Sequence, residues 1–130
     1  MVSPHLVYPL ASDRARPVTG GIYSNRPSDS WFGRGRNYQV GDLVTVAHCS
    51  SMFARDVAVR APFDLVLANI LLQPLRRLAA PMARQLMPNA HVVLSGLLTQ
   101  QANAALSAYR SQGLVLERAI VLDGWITPTM

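Results

Sequence analysis

Residues 61–130 alternate between two hydrophobic periods, and that alternation narrows the folds open to this chain more than any other feature. After Pro62, Phe63-Asp64-Leu65-Val66-Leu67-Ala68 is an apolar run broken only by Asp64. Such a run suits a strand buried on both faces of a parallel sheet. Leu71, Leu72, Leu75, Leu78, Ala79, Met82 and Leu86 then recur at three- and four-residue steps, which makes one face of a helix. Pro74 fits its first turn, and Pro81 is expected to kink the helix or end it early. Met87-Pro88-Asn89-Ala90 reads as a turn and His91-Val92-Val93-Leu94-Ser95 as a second strand. Thr99 is placed to cap a helix running to Gln112, with Ala102, Ala105, Leu106 and Tyr109 on its apolar face and Gly113 just past its end. Leu114 to Leu122 forms a third strand, Asp123-Gly124 a hairpin turn, and Trp125-Ile126-Thr127 the start of the returning strand. The order β-α-β-α-β-β predicts an α/β fold: parallel strands joined by right-handed crossovers, closed by one antiparallel strand.

Residues 1–60 follow a different grammar. Turn formers cluster at Gly20-Gly21, Arg26-Pro27-Ser28-Asp29, Gly33-Arg34-Gly35 and Val40-Gly41-Asp42. One strand is predicted, Leu43 to Ala47, where β-branched residues follow a Gly-Asp turn. The remainder of this segment is expected to be largely irregular. The chain therefore divides into an N-terminal segment, 1–60, and an α/β domain, 61–130. At 130 residues, half of them apolar, it can build one core and not two. No stretch reaches the roughly 18–20 apolar residues of a membrane span.

All 12 basic residues are arginine, and the net charge is +5. Guanidinium groups suit phosphate, but a GC-rich coding sequence explains the same bias. The arginines are scattered and not stacked on one face, which argues against a nucleic-acid binder. Cys49 is the only cysteine, so no intrachain disulfide forms, and beside His48 it has no partner at zinc spacing, so no metal is expected. The opening Met1-Val2-Ser3-Pro4-His5 lacks the basic and apolar regions of a secretory signal, which points to the cytoplasm.

Ligands of open α/β sheets bind beyond the carboxyl ends of the strands. Asn69 stands at that end of the first predicted strand of the domain. Its amide can orient a nitrogen nucleophile, or it can serve as a turn or capping residue. Ser95-Gly96 ends the second strand, where glycine permits close backbone approach to a ligand or a tight turn. Gly33-Arg34-Gly35 lacks the third glycine, the preceding strand and the following helix of a phosphate loop, and reads as an ordinary loop. Trp31-Phe32 beside Arg34 and Arg36 can stack bases or pack a loop. No Ser/His/Asp triad is legible, and His91 reads as structural.

Phe63 to Ile70-Leu71, Pro74-Leu75, Leu78-Ala79-Ala80-Pro81, Val93-Leu94-Ser95-Gly96-Leu97-Leu98, Gln101-Ala102, Ala108-Tyr109 and Gly124-Trp125 form an ordered set. Together they resemble the C-terminal part of the bacterial methyltransferases that modify large-subunit ribosomal protein L11. The resemblance covers about residues 63–127. It implies part of a class I methyltransferase (Rossmann-like) sheet, S-adenosylmethionine as cofactor and a ribosomal protein as substrate. It also implies that Asn69 is the Asn of the post-strand Asn-Ile-Leu motif, at the cofactor and the target amine, with Ser95 and Gly96 beside the cofactor. The family's Gly-x-Gly-x-Gly cofactor turn, its ribose-binding acidic residue and its substrate-recognition domain are not found in the sequence. The resemblance thus implies a truncated member, weakly active or inactive alone. Its sheet would keep an open edge, expected to be covered by residues 1–60 or to drive self-association.

Gly21-Ile22-Tyr23, Trp31-Phe32 and Val40-Gly41-Asp42-Leu43-Val44-Thr45-Val46 carry a second resemblance, over about residues 20–46, to the flagellar L-ring protein. It implies a structural role in place of an enzymatic one. Two dissimilar halves in one short chain also raise a fused or rearranged reading frame.

Overall fold

The computed structural model describes residues 5–10, 18–23, 44–48 and 55–130. Along the chain these form β1 (His5–Leu10), β2 (Val18–Tyr23), β3 (Val44–His48), α1 (Arg55–Ala58), β4 (Phe63–Asn69), α2 (Leu72–Ala83), β5 (Leu86–Ser95), β6 (Leu97–Leu98), a 3-10 turn (Thr99–Gln101), α3 (Ala102–Arg110), β7 (Arg118–Leu122) and β8 (Trp125–Thr129). One mixed sheet takes in all eight strands in the order β3-β2-β1-β4-β5-β8-β6, with β7 on the far side of β8. The β-α-β-α-β-β order expected of residues 61–130 is present, with the two-residue β6 inserted. The α/β architecture of a partial Rossmann-like sheet is thus the one observed.

The parallel pair β4–β5 is the spine. Leu65 to Asn69 run in register with His91 to Ser95. Val66 and Ala68 on β4, with Val92 and Leu94 on β5, are buried against Leu75, Ala79 and Met82 of α2 and Ala105, Leu106 and Tyr109 of α3. Leu65, Leu67 and Val93, which alternate with them, are half-buried. β4 is therefore sealed fully on its helix side alone, not on both sides as its apolar run suggests. The chain closes on this spine just past β8, where Met130 and Val92 of β5 exchange backbone hydrogen bonds at 2.7 and 2.8 Å.

Several local expectations shift. Pro81 lies inside α2, which still ends at Ala83; so near the end, little helix is left for the missing N–H to disrupt. β5 starts at Leu86, not His91. Phe63 pairs with Leu86 and Leu65 with His91, so Asp64 alone faces Met87 to Ala90, which leave the ladder as an excursion with Asn89 at φ 62°. Thr99 does not cap the third helix; Gln101 accepts the Leu98 N–H on its Oε1 at 3.0 Å. Gly113 takes φ 88° and donates to the Arg110 carbonyl at 2.9 Å, as a residue past a helix end should. The third strand is shorter than Leu114–Leu122, because Leu114 and Leu116 pack against the core instead of joining the sheet.

Residues 1–60 are expected to hold one strand at 43–47, and their described residues include three. β3 at Val44–His48 overlaps that expectation, while β1 and β2 are additional. β1 lies along β4 in antiparallel register, from Leu6 opposite Asn69 to Leu10 opposite Leu65. It occupies the edge of the β4 ladder that the sequence leaves open.

Tyr109 ties the two helices together. It is fully buried, and its hydroxyl donates to the Leu75 carbonyl oxygen at 3.0 Å. Burial raises its pKa above the ordinary 10.0. The folded state thus holds a proton that the unfolded chain releases above pH 10, so Tyr109 contributes stability that is complete below that pH and lost as pH climbs beyond it. Tyr109→Phe is expected to cost about 1 kcal/mol at pH 7 and to flatten the alkaline limb of stability. Urea unfolding of both chains between pH 7 and pH 11 checks this.

Candidate functional site

The carboxyl ends of β4 and β5 meet at one end of the sheet. Asn69 is the last residue of β4 and Ser95 the last of β5, and the two are register partners. Gly96 follows with φ 76°, turning the chain into β6. A Cβ built on Gly96 would stand 2.7 Å from Asn69 Oδ1 and 3.4 Å from the Ile70 carbonyl oxygen. Glycine is thus required twice here, by a left-handed backbone and by the Asn69 side chain lying over it. Asn69 is exposed and Ser95 half-buried. The three residues singled out from the sequence, Asn69, Ser95 and Gly96, converge in one corner.

Both ladder neighbours of β4 have a direction, and the two differ. β5 is parallel and brings its carboxyl end to Asn69. β1 is antiparallel and brings its amino end, with Leu6 opposite Asn69 and Leu10 at the other end of the sheet. Continuing across the same row, Leu6 pairs with Ile22 and Ile22 with His48. In a parallel α/β sheet the ligand crevice is walled by the loops that leave the carboxyl ends on either side of the switch point. Among the described residues Asn69, Ser95 and Gly96 make one wall, and β2 and β3 also end at this row, at Tyr23 and His48. The chain leaving β1 does so from the opposite end.

The other candidates separate from this corner. His91 Nε2 pairs with Glu117 Oε2 at 3.2 Å on the surface, beside a cleft of about 690 Å³ lined by Met87, Asn89, His91, Gln112, Leu114 and Glu117 among others. That cleft lies toward the start of β5, away from Asn69. Cys49, Trp31-Phe32 and Gly33-Arg34-Gly35 lie outside the described residues. Among the described residues no three His, Cys, Asp or Glu side chains gather as a metal site, and no helix is long and apolar enough to cross a membrane.

Residues 36–130 match the family model described as ribosomal protein L11 methyltransferase. The chain belongs to that family. Curated relatives of that name agree, one from Bradyrhizobium diazoefficiens at 55% identity over 91 residues, covering 70% of this chain and 31% of the relative. Another from Rhodopseudomonas palustris is 52% identical over 86 residues, covering 66% and 29%. The chain thus spans about a third of the length of the curated relatives it matches. Among solved structures, a ribosomal protein L11 methylase from Lactobacillus delbrueckii subsp. bulgaricus superposes with TM-score 0.71 at 20% identity, over 88% of this chain and 57% of that one. An RNA methyltransferase from Salinibacter ruber, in complex with S-adenosyl-L-homocysteine, superposes with TM-score 0.62 at 16% identity, over 87% and 63%. At these identities the structures speak for the fold.

The family match begins at residue 36 and includes Val40 to Val46, which the flagellar L-ring resemblance had claimed. That resemblance finds no support in the comparisons, and a flagellar structural role is withdrawn. A motif of the kind Gly-Asp followed by a β-branched strand is too common a turn-and-strand signal to separate two families.

The cofactor the family implies is S-adenosylmethionine. The Asn69 amide and the bare Gly96 backbone fit one side of such a ligand, whereas β1 sends its outgoing loop to the other end of the sheet. The described residues therefore fit it on one wall only.

Gly96→Ala is expected to destabilise the chain by about 1–2 kcal/mol through its positive φ and to push the Asn69 side chain away. A double-mutant cycle with Asn69→Ala, read by urea unfolding, checks the contact. The pair is expected to cost less than the sum of the single changes.

Proposed function

We propose that this chain carries the acceptor wall of an S-adenosylmethionine-dependent protein methyltransferase site. Its substrate in this reading is ribosomal protein L11, through an amine nitrogen of that protein. The observation that carries the reading is the placement of the Asn69 side-chain Oδ1 over Gly96, at the carboxyl end of β4 opposite Ser95. S-adenosylmethionine, when bound, supplies a methyl group on a sulfonium. Asn69 Oδ1 accepts a hydrogen bond from an amine N–H and so fixes the direction of the nitrogen lone pair. Gly96, without a side chain, lets a ligand approach the backbone between β5 and β6. Ser95 contributes a hydroxyl at the rim.

Methyl transfer requires donor and acceptor held together in line at near-contact distance. With β1 reversed, the described residues orient the acceptor and the strand next to β4 sends no outgoing loop to it, which supports the reading of a chain weakly active or inactive alone. Ribosomal protein L11 added to the isotopically labelled chain is expected to shift the Asn69 side-chain amide and the Gly96 backbone resonances, and Asn69→Ala to remove the effect. Resonances that stay in place contradict the acceptor wall. Calorimetric titration of S-adenosylmethionine is expected to give binding no tighter than about millimolar; micromolar binding contradicts the missing wall.

A second reading concerns the origin of the chain. Residues 1–35 lie outside the family match, which favours a rearranged reading frame joined to a methyltransferase segment. Sequencing the transcript across residues 30–60 tests it. An uninterrupted message, shared by relatives of the same layout, contradicts it.

A further inference from the structure

β7 is an edge strand with all five residues exposed. Ile120, Val121, Leu122 and, opposite on β8, Trp125 are each more than half exposed. Exposed strand edges are ordinarily blunted by proline, lysine, a bulge or a covering element. Arg118-Ala119-Ile120-Val121-Leu122 has no proline and no lysine. Apolar side chains concentrated on an unpaired edge mark an association surface.

The free hydrogen-bonding groups of this edge can be assigned. Leu122 and Trp125 flank the two-residue Asp123-Gly124 turn, so they form the closing hydrogen-bonded pair of the hairpin. Pairing alternates along an antiparallel ladder. Ile120 therefore bonds inward to β8, while Ala119 and Val121 direct their N–H and C=O outward.

We propose that two copies of this chain associate through antiparallel pairing of β7 with β7, about a two-fold axis at Val121. A two-fold antiparallel pair places one residue opposite itself, and the outward groups allow Ala119 or Val121. Charge decides between them. An axis at Ala119 makes the two Arg118 side chains diagonal neighbours on one face, where like charges repel. An axis at Val121 moves them to opposite ends and places each Arg118 just past the end of the second copy's β7, beside its Asp123-Gly124 turn and the Asp123 carboxylate. The strand begins positive and is followed by a negative turn, so an antiparallel copy is complementary to it. In that register Ile120 meets Leu122 of the second copy on the face that carries Trp125. A self-complementary patch of this kind closes as a dimer and does not propagate. This surface is separate from the Asn69 corner and does not depend on the methyltransferase reading.

Sedimentation velocity on the full chain tests it. The expected result is a monomer–dimer equilibrium in the micromolar range, weakened by added salt. Arg118→Glu is expected to weaken the dimer at least about tenfold, and Asp123→Asn in that background to recover part of the loss while keeping a residue that tolerates the turn. Val121→Pro removes an N–H that the hairpin does not use and is expected to abolish the dimer. A monomer at every concentration overturns the proposal, and so does a dimer that Arg118→Glu leaves unchanged.

Discussion

The parallel pairing of β4 with β5 is the interaction on which the remaining structure depends. It buries Val66, Ala68, Val92 and Leu94 in one layer beneath α2 and α3. Burial of four such side chains together with the helix faces that cover them is the main source of cohesion in residues 61–130. The same pairing has a chemical consequence. Parallel strands in register finish at the same end, so Asn69 and Ser95 arrive side by side, and the turn out of β5 must pass beneath the Asn69 amide. Only glycine fits at that point, because φ is 76° and the Asn69 oxygen occupies the place of a Cβ. Core packing and the candidate site are two results of one register.

What the register on the other side of β4 supplies is different. β1 satisfies the backbone groups of the β4 edge, which in an open sheet would recruit another chain. It does so with its direction reversed. An antiparallel neighbour is as good a hydrogen-bonding partner as a parallel one, but it sends its outgoing connection to the far end of the sheet. The edge is thereby covered, and the outgoing connection of β1 builds no wall beside Asn69. Membership in the ribosomal protein L11 methyltransferase family is established by the match over residues 36–130; the reversed β1 supports the proposal that methyl transfer by this chain is a separate matter.

The features legible in the sequence were those with a local cause. The apolar run Phe63–Ala68 and the three- and four-residue steps from Leu71 to Met82 specify β4 and α2 because burial imposes those periods. Asn69, Ser95 and Gly96 stand out as candidates because strand ends in α/β sheets are where ligands bind. The contact between Asn69 and Gly96 was not legible, since it joins residues from two strands. Pro88 and Asn89 read as a turn between elements, and they form an excursion within β5, because the ladder resumes on its far side at His91. Thr99 looked like a cap by residue type, while the longer Gln101 side chain reaches the Leu98 N–H. β1 and β2 lack a strong period of their own and owe their extension to non-local pairing, which no local pattern encodes.

The account turns on the direction of β1 beside β4, and nuclear Overhauser contacts between backbone protons of the two strands measure it directly. The account predicts contacts between residues 6 and 69 and between residues 10 and 65. Contacts between residues 6 and 65 together with 10 and 69 would make the pair parallel, return the outgoing loop of β1 to the Asn69 corner, and contradict it.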